Sequence, residues 1–153
     1  MIHQPSSAPS SLVCFLLLPL AVLDAAAIIS RHTTHFRING NLTCPHREEG
    51  TWWCIKVYLY EYDTMDKDMI AQYGFMCTTR KTMEYRLDGY DDDDGIGDNF
   101  YELYSWIYHN CTLHGLITLE VHNLSSIPVT ATQVTLNKTY DVSLKGVPVA
   151  DWP

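Results

Sequence analysis

Apolar and polar residues alternate with a period of two along much of this chain. Phe36, Ile38, Gly40, Leu42 and Cys44 alternate with Arg37, Asn39, Asn41 and Thr43, which predicts a strand with one buried and one wet face. Trp53, Ile55, Val57 and Leu59 form one face of a second strand, with Lys56, Tyr58, Tyr60 and Tyr62 on the other. Met83, Tyr85 and Leu87 alternate with Glu84, Arg86 and Asp88 up to Gly89. Ile107, His109 and Cys111 oppose Trp106, Tyr108 and Asn110, and Ile117, Leu119 and Val121 oppose Thr118, Glu120 and His122. Two more candidates, Val129 to Leu136 and Thr139 to Val149, are rich in Thr and Val, residues that suit a pleated surface. The one candidate helical turn is Asp66 to Gln72. Short strands at this spacing, without an amphipathic helix, predict an all-β sandwich or barrel.

The pattern breaks at the N-terminus. Leu12 to Leu23 is an apolar run that ends at Ala25-Ala26-Ala27, the h-region and small-residue site of a secretory signal peptide. Cleavage after Ala27 is expected, which leaves one domain over residues 28–153. As a membrane anchor the run is too short, is interrupted by Pro19 and is broken by Asp24, because a span needs about 20 apolar residues. The mature chain is therefore expected to be secreted and not membrane-spanning.

Two further features agree with that route. Four of the six asparagines, Asn41, Asn110, Asn123 and Asn137, stand in N-glycosylation triplets, which require exposure and lumenal transit. Asn110 has Cys111 inside its own triplet. Cys14 leaves with the signal segment, so Cys44, Cys54, Cys77 and Cys111 remain. An even number in a secreted chain reads as two disulfides, with three connectivities open. Zinc would need tighter pairs than these spacings provide.

The formal charge of −8 argues against nucleic acid, whose phosphates are neutralised by Lys and Arg, and against a polybasic membrane footprint. The acidic run Asp91-Asp92-Asp93-Asp94 lies between Gly89 and Gly95. A hard cation such as calcium wants clustered carboxylates, but the glycine and glutamate spacing of an EF-hand is absent, which favours a solvated turn. His109 and His114 beside Cys111 could serve a hydrolase, yet no nucleophile elbow or phosphate loop accompanies them, and Cys111 is better read as a disulfide half. The more informative residues are Tyr58, Tyr60 and Tyr62 on one strand face. Exposed, they would form an interaction surface, since Tyr is enriched at interfaces. The competing reading packs them beneath a neighbouring loop.

Ile38-Asn39-Gly40-Asn41-Leu42-Thr43-Cys44-Pro45, Val57 to Asp63 followed by Asp66-Lys67-Asp68, Tyr104 to Cys111 closing on His109-Asn110-Cys111, and Lys138 to Val142 resemble segments of the transthyretin-like proteins, a large family of secreted nematode proteins. The chain departs from the family at Cys77 to Lys81, so it resembles a divergent member. The resemblance implies a transthyretin-like antiparallel β-sandwich of about seven or eight strands, bridged Cys44–Cys111 and with it Cys54–Cys77. It implies an extracellular binding or adaptor protein whose partner is a small apolar molecule, a lipid or a cell-surface protein, and no cofactor and no metal are expected. Hydroxyisourate hydrolases of the same fold class carry a closing Tyr-Arg-Gly-Ser signature. Val147 to Pro153 lacks it, so the chain is expected not to be an enzyme. A secreted hydrolase and a calcium-dependent module stand as the alternatives.

Overall fold

The computed structural model of the chain describes residues 33–48, 50–63, 66–92, 99–142 and 146–153. The expected signal segment, Asp93 and Asp94 lie outside these residues. The described residues form nine strands and no helix: β1 Thr34–Thr43, β2 Trp53–Tyr62, β3 Lys67–Thr78, β4 Thr82–Asp91, β5 Phe100–His109, β6 Thr118–Pro128, β7 Gln133–Asn137, β8 Tyr140–Asp141 and β9 Val147–Pro148. They make two sheets, one in the order β4-β1-β7 with β8 also on β1, the other in the order β3-β2-β5-β6-β9. The architecture is the all-β, disulfide-bonded sandwich expected, with the last two strands only two residues long. One sheet is mixed, because β7 and β8 join β1 in parallel while every other pairing is antiparallel.

Alternation builds the core. Phe36, Ile38 and Leu42 of β1 and Tyr85 and Leu87 of β4 face Trp53, Ile55, Val57 and Leu59 of β2 and Leu103 and Ile107 of β5, all buried. Side chains of this size contribute roughly 1.5–3 kcal/mol each on burial, so the interlayer contact dominates stability. Gly40 has a packing reason: a Cβ there would overlap the carbonyl of Lys138. Lys138 lies over Gly40 there, between the parallel pairings of β7 and β8 along one edge of β1, with its amide donating to the Asn39 carbonyl at 2.8 Å. Gly89 plays the same part at the other edge, where the Ile70 carbonyl of β3 closes on β4.

Two disulfides lock the frame. Cys44–Cys111 joins the residue after β1 to the second residue after β5, and so one sheet to the other, across a sequence separation of 67. Cys54–Cys77 ties directly opposed residues of β2 and β3. Asp66 to Gln72, expected as a possible helical turn, is instead the start of β3. Only Ala71 is buried along that edge strand, and two register shifts interrupt its pairing with β2, so no period of two is visible in its sequence. In β6 the expected faces exist, but the polar one turns inward: Thr118 and Glu120 are buried while Val121 is 49% exposed.

Candidate functional site

The outward faces of the two sheets differ in chemistry. On the four-stranded sheet the wet face is ionic: Asp88 takes hydrogen bonds from His35 at 2.6 Å, Arg37 at 3.1 Å and Arg86 at 2.6 Å. These bonds, that from His35 foremost, hold its carboxyl well below the usual carboxylate range. On the five-stranded sheet the outward face is aromatic. Tyr58, Tyr60 and Tyr62 of β2 lie beside Tyr104, Trp106 and Tyr108 of β5, with Tyr58 opposite Trp106 and Tyr60 opposite Tyr104. Between the two strands the rings pack edge-on or tilted: Tyr62 on Tyr104 at 4.7 Å, Tyr60 on Trp106 at 5.1 Å, Tyr58 on Tyr108 at 5.9 Å. Such contacts are attractive beyond their area.

Two lysines complete the face. The Lys67 ammonium sits 3.7 Å from the Trp106 ring centroid and 4.7 Å from that of Tyr60, cation–π geometry that fixes the lysine over the rings. Lys56 lies 5.2 Å from the Tyr58 ring and donates to the Pro153 carbonyl. Residues 147–153 thus run from β9 across one end of the sheet, where Trp152 packs edge-on against Phe75. The two readings of the tyrosines therefore divide along the strand. Tyr58 and Tyr108 are buried at the strapped end, whereas Tyr60, Tyr62, Tyr104 and Trp106 are half-exposed. Around these four stand Met69 and Val121, 52% and 49% exposed. A contiguous apolar surface of this kind marks an interaction site more often than scattered exposed residues do.

The acceptor asparagines fall on several surfaces. Asn123 is exposed on the outward side of β6, opposite Tyr104. Asn41 and Asn137 line a 570 Å³ cavity on the four-stranded sheet with Glu84 and Arg86. Asn110 is half-buried, and its side-chain oxygen accepts from the Cys54 amide at 2.7 Å, an engagement that ties it to the disulfide region.

The histidines considered for hydrolysis are not brought together. His114 is exposed in the segment after β5, beside a cavity of about 200 Å³ lined by Leu113 and Leu116. His109 is wholly buried between the sheets. Its Nε2 lies 3.2 Å from Glu120, whose other oxygen is 3.0 Å from the Nε2 of His122. His122 in turn stacks on Tyr140 of β8 at 4.1 Å. Burial pushes the Glu120 carboxyl up, but the hydrogen bonds from His109 and His122 outweigh it and bring it down to about 2. An ionised carboxylate only accepts, so both facing nitrogens carry hydrogens. This network links the sheets and is walled off from solvent at His109, which suits structure better than turnover. Sequence reasoning missed it because Glu120 and His122 read as the wet face of β6.

A third group lies where β2 runs into β3. Glu61 and Asp63 share one side by the period of two, and Asp68 is directly opposite Glu61. One carboxylate oxygen from each lies within 4.8 Å of the others. Glu61 is fully buried, and burial first, then the charges of Asp63 and Asp91, push its carboxyl up to about 7. Of the expected acidic run, Asp91 and Asp92 are described.

Among the described residues, fold and surface together define a helix-free, disulfide-bonded two-sheet sandwich with one ionic and one aromatic outward face. The chain belongs to the family described as Caenorhabditis elegans protein of unknown function (DUF870), which matches residues 39–147 and so spans the aromatic face, the buried network and the acidic group. It is similar to the uncharacterized protein B0416.7 of Caenorhabditis elegans, at 27% identity over 96 residues, 62% of this chain and 70% of the relative.

Proposed function

We propose that this chain is a secreted, glycosylated extracellular binding or adaptor protein of the transthyretin-like type, and that it holds its partner on the half-exposed rings of Tyr60, Tyr62, Tyr104 and Trp106. The carrying observation is the asymmetry of the sandwich: polar side chains pair with one another on one sheet, while aromatic rings remain open on the other. Secretion is supported by the signal-like run, the four acceptor triplets and two disulfides, which persist in oxidising compartments. The transthyretin-like reading is supported by motifs that fall on β1, β2 and β5 and by the bridge between Cys44 and Cys111.

Among the partner classes, an extracellular protein fits better than a small apolar molecule. A small ligand is usually enclosed in an apolar cavity, whereas the 570 Å³ cavity is lined by Asn39, Glu84 and Arg86 and the aromatic face is an open sheet. A glycan on Asn123 would border this face and limit the partner's approach from β6. The reading assigns binding rather than catalysis.

Alanine at Tyr60, Tyr62 and Trp106 together should reduce capture of an extracellular partner at least tenfold, since aromatic anchors typically contribute about 2 kcal/mol or more each at an interface. Circular dichroism should report an unchanged β-fold. Capture at wild-type level by the folded variant would remove the face from the account.

A further inference from the structure

Glu61, Asp63 and Asp68 converge from the end of β2 and the start of β3. One oxygen from each lies within 4.8 Å of the other two, the spacing of ligands around a single ion. Like charges placed directly opposite on neighbouring strands destabilise a sheet, yet Glu61 and Asp68 are so placed. Glu61 is moreover fully buried, and its Oε2 has no hydrogen-bond partner among the described residues. Its Oε1 accepts a long bond, 3.4 Å, from the Glu102 amide. A buried carboxylate with an unsatisfied oxygen is costly unless something positive meets it. The adjacent cation, Lys67, is turned to the opposite face and held over Trp106 and Tyr60.

We propose that Glu61, Asp63 and Asp68 bind one calcium ion. The donor set is all oxygen, with neither histidine nor cysteine, which selects hard cations over transition metals. The three residues grade from buried Glu61 through half-buried Asp63 to exposed Asp68, so one side of the ion stays open to water. Calcium completes six to eight ligands with waters and backbone carbonyls in irregular geometry, whereas magnesium demands a near-ideal octahedron. A site with three carboxylates open to solvent belongs with extracellular modules, whose dissociation constants are about 10⁻⁴–10⁻³ M. The ion would pin the β2–β3 hairpin, where the Asp63 amide already donates to the Asp66 carbonyl at 3.0 Å. This site is independent of partner binding on the aromatic face.

The test is thermal unfolding of the full disulfide-bonded chain in EDTA and in calcium chloride at about 5 mM. Calcium should raise the midpoint by about 5 °C, and magnesium chloride at the same concentration should give less than half of that. Asp63→Asn and Asp68→Asn, at positions with solvent access, should each remove most of the calcium-dependent shift, as should Glu61→Gln. Asp151→Asn, at an exposed acidic residue outside the cluster, should leave it intact. Terbium emission excited through nearby aromatic rings should follow the same ranking. No shift with calcium, an equal shift with magnesium, or a full shift retained in the Asp63→Asn/Asp68→Asn double variant would overturn the proposal.

Discussion

Replacing Cys44 and Cys111 by alanine is expected to lower unfolding stability by about 4 kcal/mol, the largest effect of any change to the frame. The bridge closes a loop across a sequence separation of 67, and the entropy withheld from the unfolded chain grows with the logarithm of that length. It also fastens one sheet to the other beside the core, with both cysteines buried. A domain of this size is stable by only about 5–15 kcal/mol, so the loss is a large fraction of the total. Cys54 and Cys77, separated by 23 residues, join two strands already paired in one sheet, and their removal should cost about 3 kcal/mol. Urea unfolding under non-reducing conditions measures both. A Cys44→Ala/Cys111→Ala variant within about 1 kcal/mol of the parent would mean that the two layers are held by side-chain packing alone.

The second large effect concerns the buried network. Glu120→Ala should cost about 3 kcal/mol near pH 7, because it removes two charge-assisted hydrogen bonds, each contributing about 1.5–3 kcal/mol, and leaves the facing nitrogens of buried His109 and half-buried His122 without their acceptor. The pH dependence follows from the depressed carboxyl. A group whose pKa is lowered on folding stabilises the native state above its unfolded value and loses that contribution as pH falls through the folded one. For Glu120 the window runs from the ordinary carboxylate value of 4.5 down to about 2. The difference between parent and variant should therefore be full at pH 7 and shrink across that window. A difference that persists undiminished at about pH 2 would show that Glu120 acts through packing volume instead of charge.

Much of the frame was legible because one rule, alternation, governs any strand with one buried face. The second strand was readable to its ends, Trp53 and Tyr62, because its inner set is wholly apolar up to Leu59 and its outer set is Lys and Tyr. The rule fails where the two faces stop differing. β3 is an edge strand with little buried surface, so its composition could pass for a helical turn. The first half of β5 carries aromatic residues on both faces, Tyr101 and Leu103 inward and Phe100 and Tyr104 outward. β6 inverts the ordinary preference, because Glu120 and His122 are satisfied by His109 and Tyr140 across strands and sheets.

The candidate surface was legible in the same partial way. Tyr58, Tyr60 and Tyr62 were visible as a stripe, and Trp106 and Tyr108 as the wet face of a later strand. What a single strand cannot express is adjacency. Only the β2–β5 register turns two stripes into one face, and only residues 147–153 decide which end of it is covered. The acidic group escaped for a related reason. Glu61 and Asp63 are neighbours in sequence, but Asp68 joins them through the β2–β3 pairing, which no single stretch of sequence expresses.

The most direct measurement is hydroxyl-radical footprinting of the glycosylated protein, alone and bound to a partner recovered by affinity capture, with oxidation read residue by residue. Protection concentrated on Tyr60, Tyr62, Tyr104 and Trp106, with Tyr90 on the opposite sheet still oxidised as in the free chain, is the predicted result. Protection of the ionic sheet around Tyr90, with those four rings as reactive as before, would contradict it.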